Sequence, residues 1–166
     1  MVVFDSSTLI LLAKVELLDS FLDGYKGKVL IPREVEAESC RKKKSYDALL
    51  IQKRIQEKKI RVAGVKKGGL CNKLMQDFRI GRGEAEALVL ALEKKAKLVA
   101  TDDKHTIKAC RLLKVPFTSA IAILVGMTDR GMIDIESAKT RLEALTKYGR
   151  YSKQIIKMAK ERLKLE

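Results

Sequence analysis

Short apolar runs rich in β-branched residues alternate along this chain with longer stretches in which apolar residues recur at helical spacing. Residues 2–4 (VVF), Lys28–Ile31, Lys97–Thr101 and Val115–Phe117 are too short and too branched for helices and read as buried strands. Strand and helix in alternation demand crossover connections, and these are right-handed. The pattern therefore restricts the chain to an α/β fold with a central, mostly parallel sheet covered by helices on both faces, a three-layer α/β/α arrangement. At 166 residues with 46% hydrophobic content there is material for one full core, so residues 1–166 are expected to form a single unit.

The elements follow from local signals. After the first strand, DSST leads into LILLAKVELLDSFL, whose spacing predicts one helix. Pro32 ends the second strand, and REVEAE after it starts a helix whose acids complement the positive end of the helix dipole. Tyr46–Lys58 reads as a helix, 60–65 as a short exposed strand and KKGGLCN as a loop. A tight turn at Gly81–Gly83 opens a helix over Glu84–Lys95, and DDKHTIKACRLLK forms the helix after the Lys97–Thr101 strand. Residues 119–166 carry no strand signal and are expected to be helical, with a break at Tyr148–Gly149.

Charge narrows the partners. Lys and Arg number 35 against 21 Asp and Glu, a formal net charge of +14 that favours a polyanion, and nucleic acid first among them. Cys40, Cys71 and Cys110 are odd in number, widely spaced and without a histidine cluster, so neither a disulfide framework nor a zinc site is indicated. They read as reduced thiols of a cytoplasmic protein. No apolar run reaches the roughly 18 residues of a membrane span, and no membrane partner is expected.

Against this basic background, acids recur at the ends of the apolar segments: Asp5, then Glu34, Glu36 and Glu38, then Glu84 and Glu86, then Asp102 and Asp103. In an open parallel sheet the loops at the carboxyl ends of the strands form the ligand site, so these acids can meet in space. Carboxylates so gathered repel one another unless protonated or neutralised by a divalent cation, and oxygen-only donors select Mg²⁺ or Mn²⁺. Each cluster also has a structural use. Asp5 can cap a helix, Glu34 and Glu36 suit a first helical turn, and Asp102–Asp103 suits a turn.

The segments VVFDSSTLI, IPREVEAES, GRGEAEALVLAL and LVATDDKH resemble, in this order, the motifs of the PIN domain family, and the resemblance runs over essentially the whole chain. It implies a PIN-like α/β/α fold and a metal-dependent endoribonuclease that hydrolyses RNA phosphodiester bonds with Mg²⁺ or Mn²⁺. The role would be that of a toxin in a toxin–antitoxin pair or of an RNA-processing nuclease. By position, the resemblance implies catalytic roles for Asp5, Glu38, Glu86 and Asp103, with Glu36 an alternative to Glu38. Metal contacts would fall to Asp5, Glu86 and Asp103, with Glu84 and Asp102 beside them. Ser7 stands where many members carry Asn.

The implied partners are RNA, single-stranded or structured, an antitoxin protein and a second copy of the chain, the last through VELLDSFL unless that segment is core. Arg79, Arg82 and Lys104 are candidates for gripping phosphates. His105, without a partner residue, reads as a surface residue at a helix start. A non-catalytic RNA-binding or assembly module on the same fold is the rival reading. Phosphotransfer on DSST is excluded because the haloacid dehalogenase pattern needs a second aspartate where Ser7 stands, and there is no P-loop.

Overall fold

The computed structural model describes residues 1–41 and 44–165. Five parallel strands, β1 (Val2–Phe4), β2 (Val29–Pro32), β3 (Arg61–Ala63), β4 (Leu98–Ala100) and β5 (Phe117–Thr118), lie in the order β3-β2-β1-β4-β5. All four strand pairings are parallel, as in Val2 opposite Val29 and Val3 opposite Val99. The expected mostly parallel sheet is thus wholly parallel among the described residues. The chain builds outward from β1 to β3 on one side, then crosses back to lay β4 and β5 on the other. Its topological switch point falls between β1 and β4.

Helices cover both faces, giving the three-layer α/β/α arrangement. On one face Val2, Phe4, Val29 and Ile31 pack with α1 (Ser6–Lys14), α2 (Leu18–Gly24), α3 (Arg33–Cys40), α4 (Tyr46–Gln56), α8 (Ala120–Asp129), α9 (Ile135–Tyr148) and α10 (Lys153–Arg162). On the other, Val3, Leu30 and Val99 pack with α5 (Gly68–Phe78), α6 (Arg82–Lys94) and α7 (Lys104–Leu113). Successive β1 residues serve opposite layers because strand side chains alternate, and this explains why the run is apolar without interruption.

Two expectations are corrected. LILLAKVELLDSFL is not one helix: α1 ends at Lys14, Glu16 adopts φ +59°, and the Leu17 N–H turns back to the Leu12 carbonyl at 2.8 Å before α2 begins. Apolar spacing continues across the break because both helices bury residues in one core, Leu9 and Leu12 from α1, Leu18 and Phe21 from α2. Val15, Leu17, Leu18 and Phe21 are all buried, so most of the apolar side chains of VELLDSFL are core, with Glu16 and Ser20 exposed. The second correction concerns KKGGLCN, which is helical from Gly68. Glu93 of α6 accepts the Lys66 and Lys67 N–H groups at 2.9 and 2.8 Å, which anchors the chain just before α5, and Cys71 and Leu74 bury the helix against the sheet.

The C-terminal part is helical as expected. Gly149 ends α9 at the anticipated break, and Asp134 and Ser152 cap α9 and α10 by accepting the Ser137 and Ile155 N–H groups. Among the described residues no helix is long and apolar enough to cross a membrane.

Candidate active site

Asp5 follows β1 directly, at the carboxyl end of the central strand and beside the switch point. Its N–H donates to the Ala100 carbonyl at 3.0 Å, extending the β1–β4 ladder to the lip of the sheet. The side chain is fully buried. Oδ1 caps α1, accepting the Thr8 N–H at 3.1 Å and the Ser7 hydroxyl at 2.7 Å, whereas Oδ2 is buried without a hydrogen-bond partner. Burial raises the Asp5 carboxyl to about 7 from an ordinary 3.8. The Thr101 and Ser7 hydroxyls and the Thr8 N–H oppose that rise, and the Asp102 charge adds to it. Helix capping alone needs one oxygen of this carboxylate. The other is held, at a cost, out of water.

Three further acids face the same lip. Glu38 lies on α3, one turn beyond the start of that helix, and its Oε2 accepts the Ser6 hydroxyl at 2.7 Å. It rests against Gly83 in the first turn of α6, so closely that a Cβ at 83 would stand 2.4 Å from its Oε1. Glu84, next in α6, has its carboxyl raised chiefly by burial, with the negative charges of Glu38 and Asp103 adding to the effect. Asp103 ends the loop after β4 and caps α7, its Oδ2 accepting both the N–H and the hydroxyl of Thr106 at 2.8 Å. Its own N–H donates to the Thr101 hydroxyl at 3.2 Å. Segments far apart in sequence thus deliver Asp5, Glu38, Glu84 and Asp103 to one end of the sheet, at the position where open parallel sheets bind ligands.

The remaining predicted acids are otherwise engaged. Of the two at the start of α6, Glu84 feels the negative charges of Glu38 and Asp103, and Glu86 is also largely enclosed, its side chain 12% exposed. Glu86 turns to the beginning of α3, its Oε2 accepting the Glu34 N–H at 3.2 Å and its Oε1 lying 3.7 Å from Arg82. Asp102 is held by the Thr8 hydroxyl at 2.6 Å, the Ala120 N–H at 3.1 Å and the Tyr151 hydroxyl. Glu36 is half-buried in the first turn of α3. His105, Arg79, Arg82 and Lys104 are exposed near the starts of α6 and α7.

Donor chemistry and geometry bear differently on a metal. The facing groups are all carboxylates or hydroxyls, which suits Mg²⁺ or Mn²⁺. The orphaned Asp5 oxygen and the space that Gly83 leaves for Glu38 are features that such a cation would use. Among the described residues, however, no three His, Cys, Asp or Glu side chains are drawn into a ready ligand set.

Several residues at this site carry no motif that spacing alone would reveal. Ser6 and Thr8 sit in the polar lead into α1 and Gly83 in the turn before α6, inside segments whose resemblance assigns them no role, and Tyr151 lies just past a helix break, 49 positions from its partner Asp102.

A family model described as PIN domain matches residues 1–164. No curated protein and no solved structure gives a significant match to the chain.

Proposed function

The chain belongs to the PIN domain family, whose fold is that of nucleases, and we propose that it is a metal-dependent endoribonuclease acting on RNA, single-stranded or structured. The observation that carries this reading is Asp5: a fully buried carboxylate with one orphaned oxygen, at the switch point of a parallel sheet, with Glu38, Glu84 and Asp103 at the same lip.

Asp5, Glu38, Glu84 and Asp103 would hold Mg²⁺ or Mn²⁺. When bound, such a cation supplies Lewis-acid chemistry that activates water and offsets charge at a leaving oxygen. The protein's own groups do the rest. Ser7 and the Thr8 N–H fix one oxygen of Asp5, the Thr101 hydroxyl steadies the carboxylate as well, and Ser6 aims Glu38. Thr106 fixes Asp103. Arg79, Arg82 and Lys104 hold the RNA backbone through its phosphates, which positions a strand without reading its bases. The net charge of +14 brings the polyanion to the surface.

A second reading, an RNA-binding module without catalysis, draws on the net charge of +14, which binding alone would use. One assay separates the two. Purified protein is incubated with end-labelled single-stranded RNA in Mn²⁺ or in EDTA, with Asp5→Asn alongside. Cleavage by the parent chain in Mn²⁺, absent in EDTA and in D5N, supports the nuclease; RNA bound and left intact in Mn²⁺ supports the module.

A further inference from the structure

We infer that Asp102 and Tyr151 act together as positioning residues that fix Asp5, with Asp102 tied into the fold instead of ligating metal. The inference rests on the metal-dependent reading above. Asp102 lies in the β4–α7 loop, between Thr101 and Asp103, where an acid would be taken for a ligand. Its carboxylate is spent on three protein donors from three separate segments: the Thr8 hydroxyl of α1 at 2.6 Å, the Ala120 N–H at the start of α8 at 3.1 Å, and the Tyr151 hydroxyl. A carboxylate that accepts three hydrogen bonds inside a half-buried site has little left to offer a cation.

The connection to Asp5 runs through the Asp102 backbone. The Asp102 N–H donates to Ser7 Oγ at 3.2 Å, and the Ser7 hydroxyl donates to Asp5 Oδ1 at 2.7 Å. The Asp102 side chain meanwhile grips Thr8, whose N–H is the other donor to Asp5 Oδ1. The two groups that hold Asp5 Oδ1 are therefore fastened to Asp102, while the Thr101 hydroxyl steadies the carboxylate independently.

Tyr151 closes this arrangement from the far end of the chain. It sits in the short connection between α9 and α10, and the glycine before it is shaped to the ring. A Cβ at Gly149 would meet Tyr151 Cε2 at 2.5 Å and the Leu145 carbonyl at 2.9 Å. The connection between α9 and α10 thereby reaches the lip of the sheet through this phenol, beside the Ala120 N–H of α8. Outer groups that orient metal ligands commonly change metal affinity or activity by about 10- to 100-fold when removed.

The test titrates Mn²⁺ into the metal-free chain, following free Mn²⁺ by electron paramagnetic resonance, for the parent, Tyr151→Phe, Asp102→Asn, their double variant and Ser7→Ala. Melting temperatures are taken without metal. The expected result is Mn²⁺ affinity about tenfold weaker in Y151F and in D102N, with the double variant no weaker than the weaker single, since the two serve one path. S7A, which removes a donor to Asp5 itself, sets the size of loss expected when Asp5 Oδ1 is loosened, and D102N, which keeps the shape of the side chain, carries the test if Y151F folds poorly. Y151F that melts lower yet binds Mn²⁺ as the parent does would reduce Tyr151 to a clamp and overturn the inference. So would D102N that abolishes binding while Y151F leaves it unchanged, which would make Asp102 a ligand. A parent chain that binds no Mn²⁺ ends the metal-dependent reading and this inference together, whereas the other two outcomes end the inference alone.

Discussion

Gly83 and Glu38 are fitted to each other: the carboxylate of Glu38, from α3, occupies the space where a side chain on Gly83 of α6 would begin, 2.4 Å from the position of that missing Cβ. The Glu38 carboxylate is the free end of a flexible side chain, so it can move aside without disturbing the backbone. Gly83→Ala should therefore fold well, and the gain in helix propensity contributes up to about 1 kcal/mol of stability. Cleavage should nonetheless fall about tenfold or more as Glu38 is pushed from the site. Melting curves alongside single-turnover cleavage check this; a variant both stable and fully active would show that the position of Glu38 does not matter.

The buried carboxyl of Asp5 makes the metal-free protein sensitive to pH. With a folded value of about 7 against 3.8 in the ordinary state, the folded chain binds this proton more tightly than the unfolded chain does. The stabilising contribution is complete below 3.8, declines as pH rises towards about 7, and is lost above it. Asp5→Asn removes the ionisation and keeps an acceptor for Thr8 and Ser7. Measured in EDTA, D5N should melt close to the parent near pH 4 and roughly 10 °C above it at pH 8, on the order of 4 kcal/mol. Parallel melting curves for the two proteins across that range would remove Asp5 from the explanation.

Variants of Glu84 and Glu86 are expected to separate activity from stability. Glu84→Gln should lower cleavage about 100-fold and leave stability unchanged or raised, because burial and the charges of Glu38 and Asp103 already work against its ionised form. Glu86→Ala leaves the Glu34 N–H without its acceptor and should cost about 1 kcal/mol of stability, with cleavage within a few-fold of the parent. Denaturant unfolding paired with initial rates decides between this division and the reverse one.

RNA binding by D5N in EDTA isolates electrostatics from chemistry. Removing Arg79, Arg82 and Lys104 together should weaken binding to unrelated single strands by similar factors. The slope of log affinity against log salt should become shallower by about 2, since each phosphate that a single strand no longer has neutralised takes roughly 0.7 from it. Fluorescence anisotropy at several salt concentrations measures both; an unchanged slope would mean that the strand runs elsewhere.

How much of this was legible in the sequence varies with the reach of each signal. VVF, VLIP and LVA declare themselves as strands because they are buried on both faces and so apolar without interruption, and their alternation with helices carries the sheet direction with it. The break at Glu16 was hidden, since apolar spacing records what is buried and both helices bury into one core. The start of α5 was hidden by two glycines, because the Glu93 carboxylate that anchors its leading residues lies 26 positions from Lys67. The acids after β1 and β4 could be gathered at one lip from topology alone. That Glu86 reaches the Glu34 N–H while the charges of Glu38 and Asp103 bear on Glu84 depends on how α6 is rotated against α3, and spacing does not contain that angle. Tyr151 had no local signal at all: its partner Asp102 is brought to it only by the packing of the C-terminal helices.

The central claim is that these acids act as one site around Asp5, and locating a bound cation tests it most directly. Crystals soaked in Mn²⁺ and measured for anomalous scattering should show a peak within coordination distance of Asp5 Oδ2, shared with at least two of Glu38, Glu84 and Asp103, and missing from D5N crystals treated in the same way. A soaked parent crystal with these four carboxylates bare, or with Mn²⁺ bound only elsewhere on the molecule, would contradict the account.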